Sequence, residues 1–144
     1  LGPIPTFEIA DITTYYIPPA TYSLIALIAS YHHIPEKKER LELLKKIRDG
    51  LTPDGIVVLT VWNLWSDKTI RKVAGSWWRK VLRKESGGVF DIFYPFYDHG
   101  TIIYRYYRMF TARSIWRELE KYFIITKEEK WKKGQNLAFF LKKK

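Results

Sequence analysis

The sequence predicts an α/β fold, because strand-like apolar segments alternate with a helix-like one and a hairpin closes the chain. Residues 23–29 form a continuous apolar run bounded by turn residues, typical of a strand buried on both faces. Residues 56–62 are rich in β-branched types and predict a second strand. Between these strands, Leu41, Leu44 and Ile47 recur at helical spacing. This order indicates parallel strands joined by a helix, in one domain over residues 1–144.

The segments around the two buried strands can be assigned from local signals. Residues 7–10 are predicted to form a short strand that ends at Asp11, and the prolines within residues 13–21 indicate a loop. The helix is expected to begin near Pro35 and to end at Gly50. The run Pro53-Asp54-Gly55 predicts a turn before the second buried strand.

The second half of the chain is predicted to contain two helices and two strand pairs. Ser66 or Asp67 is expected to cap a basic helix that runs to about Leu82. A strand pair is expected around Asp98-His99-Gly100, a helix capped by Thr111 follows, and residues 124–131 and 136–141 form the closing hairpin. We interpret residues 63–110 as a basic and aromatic insertion on the substrate side.

Composition excludes several classes of protein. Of 144 residues, 47% are hydrophobic and 17% aromatic, which indicates a folded globule. The absence of cysteine excludes disulfides, thiolate zinc sites and a cysteine nucleophile. No apolar run is long enough for a membrane span and no signal segment opens the chain, so we expect a cytoplasmic protein without membrane contact. Scarce Asn and Gln beside abundant Lys and Glu indicate a thermophile.

The net charge of +10 is unevenly distributed. Seven Lys and Arg residues lie between positions 68 and 84 without an intervening acid, and tryptophans interleave with them. Clustered cations attract phosphates and aromatic rings stack on bases, so the pattern predicts an RNA-binding surface. The alternative is a solvated basic face that only aids solubility. The candidate RNA-binding residues of this segment are Lys72, Trp77, Arg79 and Lys80.

Four runs carry a resemblance to a known family: Ile28-Ala29-Ser30-Tyr31-His32-His33-Ile34, Leu51-Thr52-Pro53-Asp54-Gly55, Val61-Trp62-Asn63 and Tyr104-Arg105-Tyr106-Tyr107-Arg108-Met109-Phe110. Together they resemble the C-terminal part of the tRNA wobble-uridine carboxymethyl methyltransferases, which are class I S-adenosylmethionine (SAM)-dependent enzymes. The resemblance implies the C-terminal portion of a Rossmann-like methyltransferase sheet. It also implies SAM as the cofactor and tRNA as the substrate. This chain departs from the family at Arg108, where a histidine is usual, and at Ser23, where an aspartate is usual.

The resemblance implies a cofactor site at Asp11, Ile12, Ala29 and Ser30. Asp11 would accept a hydrogen bond from the adenine amino group, at the end of a strand where ligand sites of α/β folds form. The alternative for Asp11 is a loop residue that caps its own turn.

The implied reaction needs alignment more than a strong base, because a carboxylate is already ionised near neutral pH. The candidate catalytic residues are therefore two arginines, each able to hold a carboxylate, with a tyrosine and a strand-end histidine beside them: Arg105, Arg108, Tyr106 and His32. The two arginines could share a face only in a helical turn, whereas in a strand they would point opposite ways, with Arg105 and Tyr107 on one face. Trp62, Asn63 and Tyr107 complete the candidate substrate-binding set. The alternative is an aromatic core with arginines at its margin. His32 and His33 are adjacent at a strand end, so we expect them to point to opposite sides and to hold no metal.

Members of this family carry a glycine-rich cofactor loop, two strands and two helices before the position of residue 7. The sequence contains no such loop, and it begins with Leu1, which predicts a split, processed or truncated protein. The expected partner is an N-terminal SAM-binding half, an activator subunit or a homodimer mate, and the lone chain is expected to bind SAM weakly or not at all. The alternative function is a non-catalytic, methyltransferase-like module that binds RNA or a partner.

Overall fold

The computed structural model describes residues 4–66, 70–71 and 90–144. The six strands of these ranges are β1 (Tyr22–Ile28), β2 (Leu51–Trp62), β3 (Asp91–Asp98), β4 (Thr101–Arg108), β5 (Phe123–Trp131) and β6 (Asn136–Lys143). The helices whose two ends lie in these ranges are α1 (Lys37–Gly50) and α2 (Ala112–Leu119), and a 3₁₀ turn spans Tyr31–His33. Of the expected basic helix, Ile70 and Arg71 are described and helical, whereas its residues Lys72, Trp77, Arg79 and Lys80 lie outside the described ranges.

Four strands form one mixed sheet in the order β1-β2-β6-β5. Strands β1 and β2 are parallel, and β6 runs antiparallel between β2 and β5. Because β1 and β2 are parallel and α1 connects them, the carboxyl ends of both strands meet at one edge of the sheet. This arrangement confirms the predicted α/β fold with a closing hairpin.

The main core lies between the sheet and the two helices. Leu43, Leu44 and Ile47 of α1 belong to one buried cluster with Ile115 and Leu119 of α2. Alternate residues of β2 supply the strand side of that cluster, namely Val57, Leu59 and Val61. The predicted helical spacing therefore identified the buried face of α1.

Strands β3 and β4 form a separate two-stranded hairpin whose turn is at His99 and Gly100. A small second core of Leu64, Ile92, Tyr107 and Met109 packs against Trp62 at the end of β2. Thr111 caps α2 as predicted, because its hydroxyl accepts a hydrogen bond from the Ser114 amide and the Ser114 hydroxyl accepts one from the Thr111 amide.

Three expectations about the fold are wrong. Residues 7–10 form no strand, and Phe7 and Ile9 are exposed, because no neighbouring strand is present among the described residues to pair with them. Strand β1 is buried on one face only: Leu27 is in the core, whereas Leu24 and Ile28 on the other face are exposed.

The predicted turn over residues 53–55 is instead part of β2. Tyr22 pairs with Leu51 and Leu24 pairs with Ile56, so β2 advances five residues where β1 advances two. The additional residues bulge out of the ladder without ending the strand.

In the described part of the chain, the helices are too short or too polar to cross a membrane. The same residues include no group of three or more side chains arranged to hold a metal ion.

Candidate functional site

The candidate site lies at the shared carboxyl edge of β1 and β2. After Ile28 the chain turns through Ala29, which has a left-handed φ of 53°, and Ser30 leads into the 3₁₀ turn. The Ala29 amide donates a hydrogen bond of 2.9 Å to the hydroxyl of Thr60 on β2. This bond fixes the exit of β1 against the neighbouring strand, and it supports a backbone conformation that costs a non-glycine residue energy.

An aromatic cluster covers the end of the sheet beside this turn. The rings of Trp62 and Tyr107 are stacked, with centroids 4.4 Å apart and planes tilted by 12°. The ring of His32 lies 5.4 Å from Trp62 and 5.5 Å from Tyr107, and that of His33 lies 4.5 Å from Tyr107. Three predicted site residues, His32, Trp62 and Tyr107, therefore meet at one place, although they come from three separate segments.

His32 is buried as a neutral imidazole. Its Nδ1 accepts a hydrogen bond of 3.3 Å from the Trp62 amide, so Nε2 carries the proton. Burial lowers the pKa of His32 to about 3, and the neighbouring His33 contributes to that lowering. Nε2 has no hydrogen-bond partner among the described residues. His32 is therefore unsuited to exchange protons near neutral pH.

The two histidines do not point to opposite sides, contrary to the expectation from a strand end. Their rings are 4.6 Å apart and both contact Tyr107. The reason is that β1 ends at Ile28, and Tyr31–His33 form a 3₁₀ turn, in which consecutive side chains diverge less than in a strand. His33 Nδ1 is 3.0 Å from the Tyr106 carbonyl and donates to it.

The three candidate catalytic residues of β4 are divided between the two faces of the hairpin. Arg105 lies on the same face as Tyr107, and its guanidinium is centred 3.6 Å from the ring of Phe96. Tyr106 and Arg108 lie on the opposite face. Arg105 and Arg108 therefore point away from each other, as expected for a strand, and the two-arginine clamp that a helical turn would have allowed does not form within this hairpin.

Asp91 binds both residues of that opposite face, and the sequence patterns did not single it out. Arg108 Nη1 lies 2.8 Å from Asp91 Oδ1. Burial raises the pKa of the Tyr106 hydroxyl, and its hydrogen bond to Asp91 raises that pKa further. Counting outward from the predicted turn at residues 98–100 pairs Asp91 with Arg108, which was the available signal.

Among the residues proposed to bind the cofactor, Asp11 offers an exposed hydrogen-bond acceptor and Ile12 offers an apolar side chain. Oδ1 of Asp11 accepts hydrogen bonds of 2.8 and 2.7 Å from the amide and hydroxyl of Thr13, and these bonds lower the Asp11 pKa. The ionised carboxylate is exposed, and Ile12 packs against the main core. These residues fit the adenosine end of SAM, with Ala29 and Ser30 at the strand end. The described residues contain no glycine-rich loop that would hold the rest of the cofactor.

Asn63 is buried, and its side chain is bonded within the protein. Nδ2 donates 2.9 Å to the Gly134 carbonyl, and Oδ1 accepts 3.1 Å from the Trp65 amide. Asn63 therefore lies at the predicted site but holds neighbouring segments in place. Its assignment to substrate binding remains a prediction, as do those of the residues outside the described ranges.

An apolar cleft of about 310 Å³ lies along the outer edge of β1. Ile12, Tyr15 and Ile17 line one side of it, and Leu24 and Leu27 line the other. Neither Asp11 nor Ser30 borders this cleft. It is therefore a feature of the unpaired strand edge, distinct from the aromatic cluster.

Comparison with known proteins identifies the fold through structure alone, since no protein-family model and no curated protein matches the sequence. A Pyrococcus horikoshii protein of known structure superposes with a TM-score of 0.68 at 15% identity, over 94% of this chain and 61% of that protein. A SAM-dependent methyltransferase from Methanosarcina mazei gives 0.68 at 15% identity, over 95% and 66%. The chain thus spans less than two thirds of the length of either protein.

A third similar structure contains a bound product of the cofactor. It is the 1,6-didemethyltoxoflavin-N1-methyltransferase of Burkholderia thailandensis with bound 1,6-didemethyltoxoflavin and S-adenosylhomocysteine. It superposes with a TM-score of 0.57 at 16% identity, over 93% of this chain and 48% of that enzyme. The similarity extends through the mixed sheet and its closing hairpin. The chain therefore has the Rossmann-like α/β fold of class I SAM-dependent methyltransferases.

Proposed function

We propose that this chain is the substrate-binding part of a SAM-dependent methyltransferase that acts on tRNA. The observation that carries the proposal is the meeting of His32, Trp62 and Tyr107 at the carboxyl edge of two parallel strands, in a sheet of methyltransferase type. Ligand sites of α/β sheets form at that edge. The finer proposal is methyl esterification of a carboxymethyl group on the wobble uridine.

SAM would supply an electrophilic methyl group. The ionised carboxylate of Asp11 would accept a hydrogen bond from the adenine amino group, and Ile12 would contact the adenosine through its apolar side chain. The strand-end turn at Ala29 and Ser30 is fixed by Thr60 and so keeps its place when ligands bind. The chain contributes binding and orientation, and it needs no residue with a pKa near 7 for this reaction.

The acceptor side would be oriented by the hairpin. Arg105 is exposed, and the ring of Phe96 supports its guanidinium from one side. A guanidinium held flat in this way retains its donors for a carboxylate. Tyr107 is buried against Trp62, so its role would be to hold the site together.

The choice of tRNA rests on charge and on the sequence resemblance. A net charge of +10 favours a polyanion over a neutral small molecule. The direct experiment incubates the chain, with and without an N-terminal SAM-binding partner, with labelled SAM and tRNA bearing carboxymethyluridine. We expect label in the tRNA ester only when the partner is present. Transfer to small acceptors but not to tRNA would contradict the substrate class.

A second function is favoured by the placement of the catalytic candidates. His32 is buried, Arg108 is paired with Asp91, and the guanidinium of Arg105 lies against Phe96. A non-catalytic module that binds RNA or a partner is compatible with this arrangement. Tight tRNA binding without methyl transfer in every partner combination would favour that second function.

A further inference from the structure

A single buried side chain fixes two exposed surfaces beside the candidate site. In the Asn63 side chain, Nδ2 donates a hydrogen bond to the Gly134 carbonyl and Oδ1 accepts one from the Trp65 backbone amide. The Asn63 backbone amide donates a hydrogen bond of 2.8 Å to the Gln135 carbonyl. Asn63 thus joins the end of β2 to the turn between β5 and β6. Trp65 is 67% exposed on one side of this joint.

The turn on the other side of the joint presents two lysines in a left-handed backbone conformation. Lys132 and Lys133 have φ values of 49° and 55°, and Gly134 follows at 81°. Residues with side chains occupy this region at a cost, and such positions concentrate at functional sites. Both lysines are exposed, and no ion pair to either is present among the described residues.

The acids nearest in sequence to this turn are already occupied. Glu129 pairs with Lys127 and accepts from Trp131, and Glu128 accepts from the Trp116 indole. The turn also lies at the same edge of the sheet as the aromatic cluster, because Asn136 pairs with both Trp62 and Trp131. The exposed Trp65 and the turn with Lys132 and Lys133, which form no ion pair among the described residues, therefore lie on either side of Asn63. They lie at the edge of the sheet where the substrate is expected to bind.

We propose that Trp65, Lys132 and Lys133 form a nucleotide-binding site for single-stranded RNA, with Asn63 as its positioning residue. A base stacks on the Trp65 indole, and a backbone phosphate lies against the two ammonium groups. Stacking and phosphate contacts are the two elements by which proteins bind single strands without reading sequence. This inference rests on the proposed function for RNA as the ligand class, and it concerns residues that the proposed reaction does not use.

The experiment measures fluorescence anisotropy of a labelled oligouridine with the full chain, without SAM. Replacing Trp65 with Ala is expected to weaken binding about ten-fold, because stacking contributes about 1–3 kcal/mol per base. The double substitution Lys132→Ala and Lys133→Ala is expected to weaken binding and to reduce the salt slope by about 0.7, because one phosphate is no longer neutralised. Tyr16→Ala, at an aromatic residue that is 74% exposed, and Lys142→Ala are the matched controls and should change neither quantity.

Heparin, a polyanion without bases, separates a nucleotide site from a general basic surface. The lysine variants should weaken both probes, whereas Trp65→Ala should weaken oligouridine only. Asn63→Ala, with its fold checked by circular dichroism, should lose as much oligouridine affinity as the triple variant of Trp65 and both lysines. The inference is overturned if oligouridine does not bind, or if Trp65→Ala leaves its affinity unchanged or weakens heparin equally. Absence of methyl transfer with oligouridine binding intact would instead remove the proposed reaction and leave this site in place.

Discussion

Arg40 and Glu118 form a two-point ion pair in the interior of the protein. Arg40 Nε lies 3.1 Å from one carboxylate oxygen of Glu118, and Nη2 lies 3.0 Å from the other. The Tyr31 hydroxyl donates 2.6 Å to the same carboxylate, and Arg40 Nη1 donates to the carbonyls of Ile34 and Pro35. This network connects α1, α2 and the 3₁₀ turn that contains the two histidines, so it holds that part of the candidate site in place.

Removing the carboxylate charge of Glu118 should destabilise the fold strongly. Glu118→Gln leaves the buried Arg40 guanidinium without a counter-charge, and breaking a buried pair in this way costs about 3–5 kcal/mol. Urea-induced unfolding followed by circular dichroism measures the change. The exposed pair Lys38–Glu42 provides the control, because Glu42→Gln should change stability by less than about 0.5 kcal/mol. Equal effects of the two substitutions would contradict the role of the buried network.

The buried His32 should make the protein sensitive to mild acid. The pKa of His32 is about 3 in the folded protein, whereas an unfolded histidine has a pKa of about 6.5. Between these values the unfolded chain binds the additional proton, so stability falls as the pH falls from about 6.5 toward 3. The full decrease is roughly 4–5 kcal/mol, of which the part above pH 5 is free of carboxylate titration.

Unfolding free energies at pH 7 and pH 5 test this dependence. The decrease between the two pH values should shrink in His32→Gln, which cannot take up a proton. His99 is exposed at the tip of the β3–β4 hairpin, and His99→Gln should retain the wild-type decrease. A His32→Gln variant with the full wild-type decrease would show that other groups cause the acid sensitivity.

The unpaired edge of β1 should drive association of the isolated chain. Leu24 is 59% exposed beside backbone groups that no neighbouring strand of the described ranges pairs, and such an edge promotes strand pairing. Sedimentation velocity should show concentration-dependent association that Leu24→Lys reduces. Ile56, 38% exposed on β2, a strand paired on both sides, gives the control Ile56→Lys, which should leave association unchanged. A wild-type chain that stays monomeric at every concentration would contradict this prediction.

In an assembled enzyme, Arg105→Ala should lower turnover more than it weakens tRNA binding. The guanidinium would orient one carboxylate, and a charge-assisted hydrogen bond contributes about 1.5–3 kcal/mol, which corresponds to roughly ten- to a hundred-fold in rate. Arg105→Lys should recover part of the rate, because an ammonium lacks the planar two-point contact. Single-turnover rates and tRNA affinities make the comparison, with the exposed Arg117 replaced by Ala as control. Proportional decreases of rate and affinity would exclude a positioning role.

Local signals predicted the fold well, whereas contacts distant in sequence escaped prediction. The Thr111 cap and the turn at residues 98–100 depend on a few consecutive residues, and both were predicted correctly. The pairing of Arg40 with Glu118 joins residues 78 apart, and nothing in either local sequence indicates it. Residues 7–10 have a strand-like composition, but composition cannot reveal whether a partner strand is present.

The sequence predicted which residues meet at the candidate site better than it predicted how their side chains are oriented. His32, Trp62 and Tyr107 do converge, because strand ends can be located from apolar runs. The predicted orientation of the His33 side chain was wrong because it depends on where β1 ends. When the end of the strand shifts by a few residues, His33 lies in a 3₁₀ turn instead of a strand. Arg105 and Arg108 lie on opposite faces because β4 is a strand, which is one of the two alternatives that the sequence left open.

The position of β6 also constrains how the protein can be made. This strand lies between β2 and β5, yet it follows both of them in the sequence, at Asn136–Lys143. During synthesis, β2 therefore emerges from the ribosome long before the strand that pairs with its second edge. The four-stranded sheet closes only after residues 136–143 have left the exit tunnel, and until then the second edge of β2 stays unpaired and needs protection by a nascent-chain chaperone.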